Sequence, residues 1–154
     1  LFTVDPDLTA VDGRLAVVKE ITVSECSTTA VAPRFVTSGP GKVTGGIRLT
    51  VPEGFATAGF QFMQKAATPR GTLEFDDHAT TTRIHTSDIT GIWIAGNEAY
   101  IFGHVMGSQT DRSFRLHLLD AGEPGTSDRF ELLVSDGYSA GIGRAIDHGN
   151  IQVH

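Results

Sequence analysis

The sequence predicts an all-β fold: an antiparallel sandwich or small closed barrel of about eight to ten strands in mostly meander order. Three observations carry that expectation. Helical periodicity is almost absent from the 154 residues. From Ser38 onward, turn chemistry recurs roughly every 8 to 15 residues. Between the turns lie short runs rich in β-branched and aromatic residues, the types that pack well on a pleated surface.

Composition sets the outer bounds. A chain of 154 residues suits one domain, and at that size about 70% of the unfolded chain's surface is buried on folding. With 40% apolar and 19% charged residues the chain is too apolar to stay disordered. Twelve basic residues against 18 acidic ones leave a net charge of −6. That balance argues against nucleic acid as a partner, because phosphate affinity is built from clustered Lys and Arg. No apolar run approaches the roughly 20 residues a membrane-spanning helix needs. One cysteine excludes an intrachain disulfide framework and any multi-cysteine zinc site. Cys26 is then either a small buried hydrophobe or an intermolecular disulfide partner.

The elements follow in order. Residues 1–38 are poorer in glycine and form an N-terminal extension or added strands, with Leu15–Val23 strand-like through Val17, Val18, Ile21 and Val23. Residues 39–154 form the antiparallel β-domain, and the whole chain is expected to be one compact body. Its strands are expected at Lys42–Val51, Phe55–Gln64, Gly71–Phe75, Thr82–Ala95, Glu98–Met106, Ser113–Asp120, Arg129–Ser135, Tyr138–Ile146 and Ile151–His154. Turns between them are marked by Pro52-Glu53-Gly54, Asp76-Asp77-His78, Gly96-Asn97, Gly122-Glu123-Pro124-Gly125, Asp136-Gly137 and similar groups. Most of the 18 glycines fall at such turns. Gly45, Gly46, Gly91 and Gly103 fall inside strands, where they permit bulges or close approach of a neighbour.

A set of local blocks carries a resemblance. They are Gly41-Lys42-Val43-Thr44-Gly45-Gly46, Leu73-Glu74-Phe75-Asp76-Asp77-His78, Asp120-Ala121-Gly122-Glu123-Pro124-Gly125 with Asp128 and Phe130, Gly137-Tyr138-Ser139-Ala140-Gly141, and the ending Gly149-Asn150-Ile151-Gln152-Val153-His154. From about residue 41 to residue 154 the chain resembles the post-COAP domain of secreted bacterial proteins. The resemblance implies an extracellular, β-rich, accessory-type domain, and it supplies no activity and no catalytic residues. A start at Leu1 rather than Met fits a processed or a trimmed chain, and the Thr-rich texture is compatible with an extracellular protein, so a signal peptide is expected to have been removed.

Two-residue hairpin loops set register, so the faces of the central sheet can be read. A loop at Gly96-Asn97 pairs Ala95 with Glu98, and one at Gln109-Thr110 pairs Ser108 with Asp111. One face then stacks Ile92, Ile101 and Leu118 as core. The other carries Trp93, Tyr100 and Leu119, then Gly91, Phe102 and His117, then Ile89, His104 and Arg115, with Met106 at the end. A solvated face should be polar, so this aromatic face is expected to be covered: by other parts of the fold, by a subunit or partner, or by a ligand.

Metal and catalytic candidates are few. His104 and His117 are expected as diagonal neighbours, about 7–8 Å apart at the backbone, with His85 as a distant third ligand for zinc or copper. The alternative is hydrogen-bonded histidines on a half-buried face. Asp120, Glu123 and Asp128 offer carboxylates to calcium, which wants six to eight oxygens, but a tight structural turn without metal is the favoured reading. Asp76-Asp77-His78 has the same two readings. Ser139 sits in a G-x-S-x-G string, but that motif needs a strand-to-helix elbow and no helix is expected here.

The expected function is a non-catalytic extracellular β-domain for structure, adhesion or self-assembly. Its partner would be a second copy or another extracellular protein, engaged through residues 1–38 and the aromatic face of Trp93, Tyr100, Phe102, His104, Arg115, His117 and Met106. The alternatives are a small β-barrel enzyme of cyclase or isomerase type, whose apolar cavity those residues line, and a polysaccharide-binding module with Trp93 and Tyr100 as its platform.

Overall fold

The computed structural model describes residues 40–65, 68–107 and 112–154 and, in the N-terminal part, the backbone of residues 10–11 and 14–15. The chain divides into two units, residues 1–37 and 38–154. In the first, β1 (Ala10–Val11) and β2 (Arg14–Leu15) pair antiparallel, Ala10 opposite Leu15 and Val11 opposite Arg14. Apart from Leu15, the strand expected at 15–23 lies outside the described residues, as does Cys26.

The second unit is all-β and antiparallel. Its strands are β3 (Gly41–Val51), β4 (Gly54–Lys65), β5 (Thr68–Asp77), β6 (Arg83–Ala95), β7 (Glu98–Val105), β8 (Ser113–Leu119), β9 (Arg129–Val134), β10 (Ser139–Ala140) and β11 (His148–Val153). They form one sheet in the order β10-β9-β8-β7-β6-β5-β4-β3-β11. From β3 to β10 each strand pairs with the next in sequence, a meander, and β11 returns to flank β3. The sheet curls into a half-barrel.

Period-two alternation makes that curl possible, because it gives the sheet one apolar face to wrap around. Along β7, Ala99, Ile101, Gly103 and Val105 are buried, while Tyr100, Phe102 and His104 between them are only half-buried. The concave side holds a core of Phe60, Phe62, Phe75, Leu73, Phe114, Leu116 and Phe130 among others. Phe130 of β9 lies 5.9 Å from both Phe60 of β4 and Phe75 of β5, ring centre to ring centre. Strands far apart in the ladder thus share one interior, and each fully buried Phe contributes roughly 1.5–3 kcal/mol of burial.

Two interior glycines are set by close approach rather than by turns. At Gly45 a Cβ would lie 2.8 Å from the Asn150 carbonyl oxygen and inside the ring of Phe60, its cross-strand partner. At Gly103 a Cβ would strike the Asp88 carbonyl and come within 2.8 Å of Phe114. Asp88 is close because β6 is bulged twice, between Thr86 and Asp88 and between Ile89 and Gly91. Its first residues pair with β5 only from Glu74 to Asp76, and the remainder pairs with β7. The short β5–β6 ladder also explains how Pro69 sits within β5, since no β6 partner is paired there to need its missing N–H.

The outer side of β11 and the part of β9 beyond β10 are occupied. On the outer side of β11, Asp128 Oδ2 accepts the Ile151 N–H at 2.8 Å and Asp120 Oδ2 accepts the Val153 N–H at 3.1 Å. Along β9, the Ile146 N–H donates to the Asp128 carbonyl at 2.9 Å, and Arg129 bridges to Ala145. The strand expected over Tyr138–Ile146 is reduced to Ser139–Ala140. Gly141 and Gly143, with φ of 76° and 69°, turn the chain out of the ladder. Ser139 starts that short strand opposite Leu133 and is followed by a turn rather than a helix.

Candidate functional site: the outer face of β6 to β9

The Gly96-Asn97 turn sets the β6–β7 register as expected. Ala95 opposes Glu98, Trp93 opposes Tyr100 and Gly91 opposes Phe102. The next hairpin differs. Tyr100 opposes His117, Phe102 opposes Arg115 and His104 opposes Ser113, a slip of two residues from the expected pairing. A slip of two leaves every side chain on its face and changes only its row. Residues 108–111 of that hairpin lie outside the described residues.

A continuous row now crosses four strands: Trp93, Tyr100, His117 and Glu131. The Trp93 and Tyr100 rings sit 5.5 Å apart at 56°, and Tyr100 stacks on His117 at 4.3 Å and 9°. His117 Nδ1 lies 3.1 Å from Glu131 Oε2, and Glu131 Oε1 accepts the Gly143 N–H at 2.8 Å. Burial works against the Glu131 carboxylate, but the Gly143 N–H and the neighbouring His117 outweigh it and hold its pKa below the ordinary value. Burial, reinforced by the Glu98 charge, raises the Tyr100 pKa against the opposing pull of Arg115. Trp93 is only 8% exposed, so its ring presents no open platform. Among the described residues, neither its Nε1 nor the His117 Nε2, both buried, has a hydrogen-bond partner.

The next rows are Gly91, Phe102, Arg115 and Leu133, then Asp88, His104 and Ser113. The β6 bulges replace Ile89 by Asp88 opposite His104 and move Ile89 to pack against the core. His104 Nδ1 is 2.9 Å from Asp88 Oδ1. The two histidines are therefore not diagonal neighbours. They sit four residues out of step across β7 and β8, each turned to its own carboxylate. His85, on the first part of β6, lies 3.9 Å from Glu74 of β5. Among the described residues no group of three or more His, Cys, Asp or Glu is placed to hold a metal ion.

The remaining candidates are placed as follows. Met106 follows β7 and is 60% exposed. Asp128 is fully buried, its second oxygen accepting the Ala121 N–H at 2.8 Å. Asp120 Oδ1 accepts the Gly122 N–H at 3.0 Å, and Glu123 Oε1 accepts from Asn150 Nδ2 at 2.8 Å. The three carboxylates expected at calcium are thus bound to amide donors that fasten the β8–β9 loop to β11. Asp77 makes an Asx-type turn, accepting from the Ala79 and Thr80 amides, and also receives the Tyr138 hydroxyl at 2.8 Å. Trp93, Tyr100, Phe102, His104 and His117 face away from the core, so they line no interior cavity of the half-barrel.

Sequence reasoning missed Glu131, Leu133 and Ser135 as members of this face. The signal was present, since buried Phe130, Leu132 and Val134 alternate with them along the β9 run. The chain matches no protein-family model, no curated protein and no solved structure.

Proposed function

We propose that the protein is a non-catalytic extracellular β-domain for structure, adhesion or assembly, and that it self-associates through the outer face of β6 to β9. One observation carries the reading. Trp93, Tyr100, His117, Phe102, Arg115 and Leu133 stand where a sheet facing water carries polar residues. Trp, Tyr, Phe and Arg are the types enriched where proteins meet. Trp93 Nε1 and His117 Nε2, which have no partner among the described residues, add to it, because a buried polar atom without a partner costs roughly 1–3 kcal/mol. The occupied outer side of β11, and the two-residue length of the other edge strand β10, favour contact through a face over addition of a strand. The resemblance of residues 41–154 to the post-COAP domain supports the extracellular setting. The same reading takes the half-barrel as an open member of the sandwich and barrel class, supported by the carboxylates of Asp120 and Asp128 on β11.

Size-exclusion chromatography of the full chain with light scattering tests this reading. A concentration-dependent dimer or larger species is expected, reduced to monomer by Tyr100→Ala with Phe102→Ala. A strictly monomeric full-length chain at high concentration overturns it.

A further inference from the structure

Beside the aromatic row lies an open groove of about 290 Å³, lined by Phe102, His104, Ser113, Arg115, Leu133 and Ser135 among others. Its size is near the lower end for small-molecule sites. Phe102 and Leu133 make its walls apolar, and Arg115 supplies the charge. Arg115 opposes Phe102 across the β7–β8 ladder and Leu133 across β8–β9. It is half-buried and forms no ion pair or hydrogen bond with any described residue.

Glu98 and Arg129 on this face likewise form no ion pair with a described residue, but of the three only Arg115 lines the groove. Asp88 is held by His104, and Glu131 by His117 and the Gly143 N–H. Arg112, at the mouth of the same hairpin, is paired with Asp136 at 2.5 Å. A guanidinium carries five N–H donors in a planar fork that matches a carboxylate, and among the described residues this half-buried charge has no counter-ion. Two hydroxyls line the groove with it. Ser135 Oγ accepts the Ser113 N–H at 3.1 Å, which leaves its own O–H hydrogen to donate.

We infer that this groove binds a small organic carboxylate carried on a flat apolar body. The acid group is held by Arg115 with the Ser135 hydroxyl, and the body rests against Phe102 and Leu133. The groove shares Phe102, Arg115 and Leu133 with the face proposed for self-association, so it is open only in the single chain and the titration is read below the concentration at which light scattering detects a larger species.

The test is an amide-resolved NMR titration of the full chain with sodium benzoate and, separately, with benzamide and acetate. Benzoate is expected to give saturable shifts at the Phe102, Ser113, Arg115 and Ser135 amides in the millimolar range. Benzamide, with the same ring and no charge, and acetate, with the charge and no ring, are each expected to bind at least about tenfold more weakly. Arg115→Gln is expected to abolish the benzoate response, with Arg115→Lys keeping part of it. The comparison of ligands on the unaltered protein stands even where a variant folds poorly. Absence of saturable shifts at these amides, or equal response to benzoate and benzamide, overturns the inference. Equal response to acetate and benzoate overturns it too, because it marks an adventitious ion only.

Discussion

Asp128 Oδ2 accepts the backbone N–H of Ile151 at 2.8 Å while its Oδ1 accepts that of Ala121 at the same distance. The β8–β9 loop thereby does for the outer side of β11 what another strand would do. Asp120 repeats the device on Val153. Backbone donors on a buried strand need acceptors, and here side chains provide them.

Replacing Asp128 by Ala leaves two N–H groups without acceptors at a position that is fully buried. The expected loss is about 3–5 kcal/mol, read as a lower urea midpoint. In hydrogen exchange the Ile151 amide should lose protection, while Gln152, whose N–H faces β3, keeps more of it. An unchanged midpoint contradicts this account.

Tyr138 gives its hydroxyl to Asp77 and packs its ring edge-on to Phe75 at 5.9 Å. Tyr138→Phe keeps the packing and removes the hydrogen bond, so a loss of about 1.5–3 kcal/mol is expected. Burial, then the bond to Asp77 and the Asp77 charge, raise the Tyr138 pKa well above the ordinary 10.0. A raised folded value means its stabilisation is complete below pH 10.0 and is lost as pH rises through the higher value. Absorbance titration of the phenolates should therefore show no ionisation of Tyr138 at pH 10.0 in the folded protein.

Acid acts with the opposite sign. Burial opposes ionisation of Asp77, but hydrogen bonds from the Thr80 and Tyr138 hydroxyls and the Ala79 and Thr80 amides outweigh it and hold its pKa below 3.8. Glu131 is held below 4.5. Depressed folded values give stabilisation that is complete above the unfolded pKa and lost as pH falls through the folded one. The melting temperature should thus fall steeply only below about pH 4, and Asp77→Asn should flatten that fall. A main loss centred near pH 6 contradicts the assignment.

Gly45 and Gly46 are neighbours with opposite surroundings. A Cβ on Gly45 meets the Phe60 ring and the Asn150 carbonyl, whereas one on Gly46 meets nothing within 4 Å. Gly45→Ala should cost about 1–3 kcal/mol through overpacking, and Gly46→Ala should be neutral or stabilise by up to about 1 kcal/mol. Thermal unfolding of the pair separates the two effects, and equal losses contradict the close-approach account.

What was legible in the sequence was local. The meander follows from turn residues and alternation, and the β6–β7 register follows from a two-residue loop of the right chemistry at Gly96-Asn97. The β7–β8 register differs from the expected one because Gln109-Thr110 lacks the chemistry of a two-residue turn, and the glycine that marks the turn, Gly107 with φ of 76°, stands before it. The β6 bulges bring the Asp88 carbonyl against Gly103, a cross-strand fit that one strand alone does not display. The aromatic row was visible as residue types, but its end at Glu131 needed the β8–β9 register. The ties from Asp128 to Ile151 and from Tyr138 to Asp77 arise from the curl of the sheet, and no local pattern signals them.

The β7–β8 ladder pairs Tyr100 with His117 and Ile101 with Leu116, and any displacement of that register by an even number of residues keeps each side chain on its face. Insertions and deletions in the connection between these strands are therefore sorted by parity more than by size. A change of two residues re-pairs the aromatic row with new neighbours and leaves the interior intact. A change of one, unless a bulge absorbs it, turns Phe114, Leu116 and Leu118 outward and Arg115 and His117 into the core.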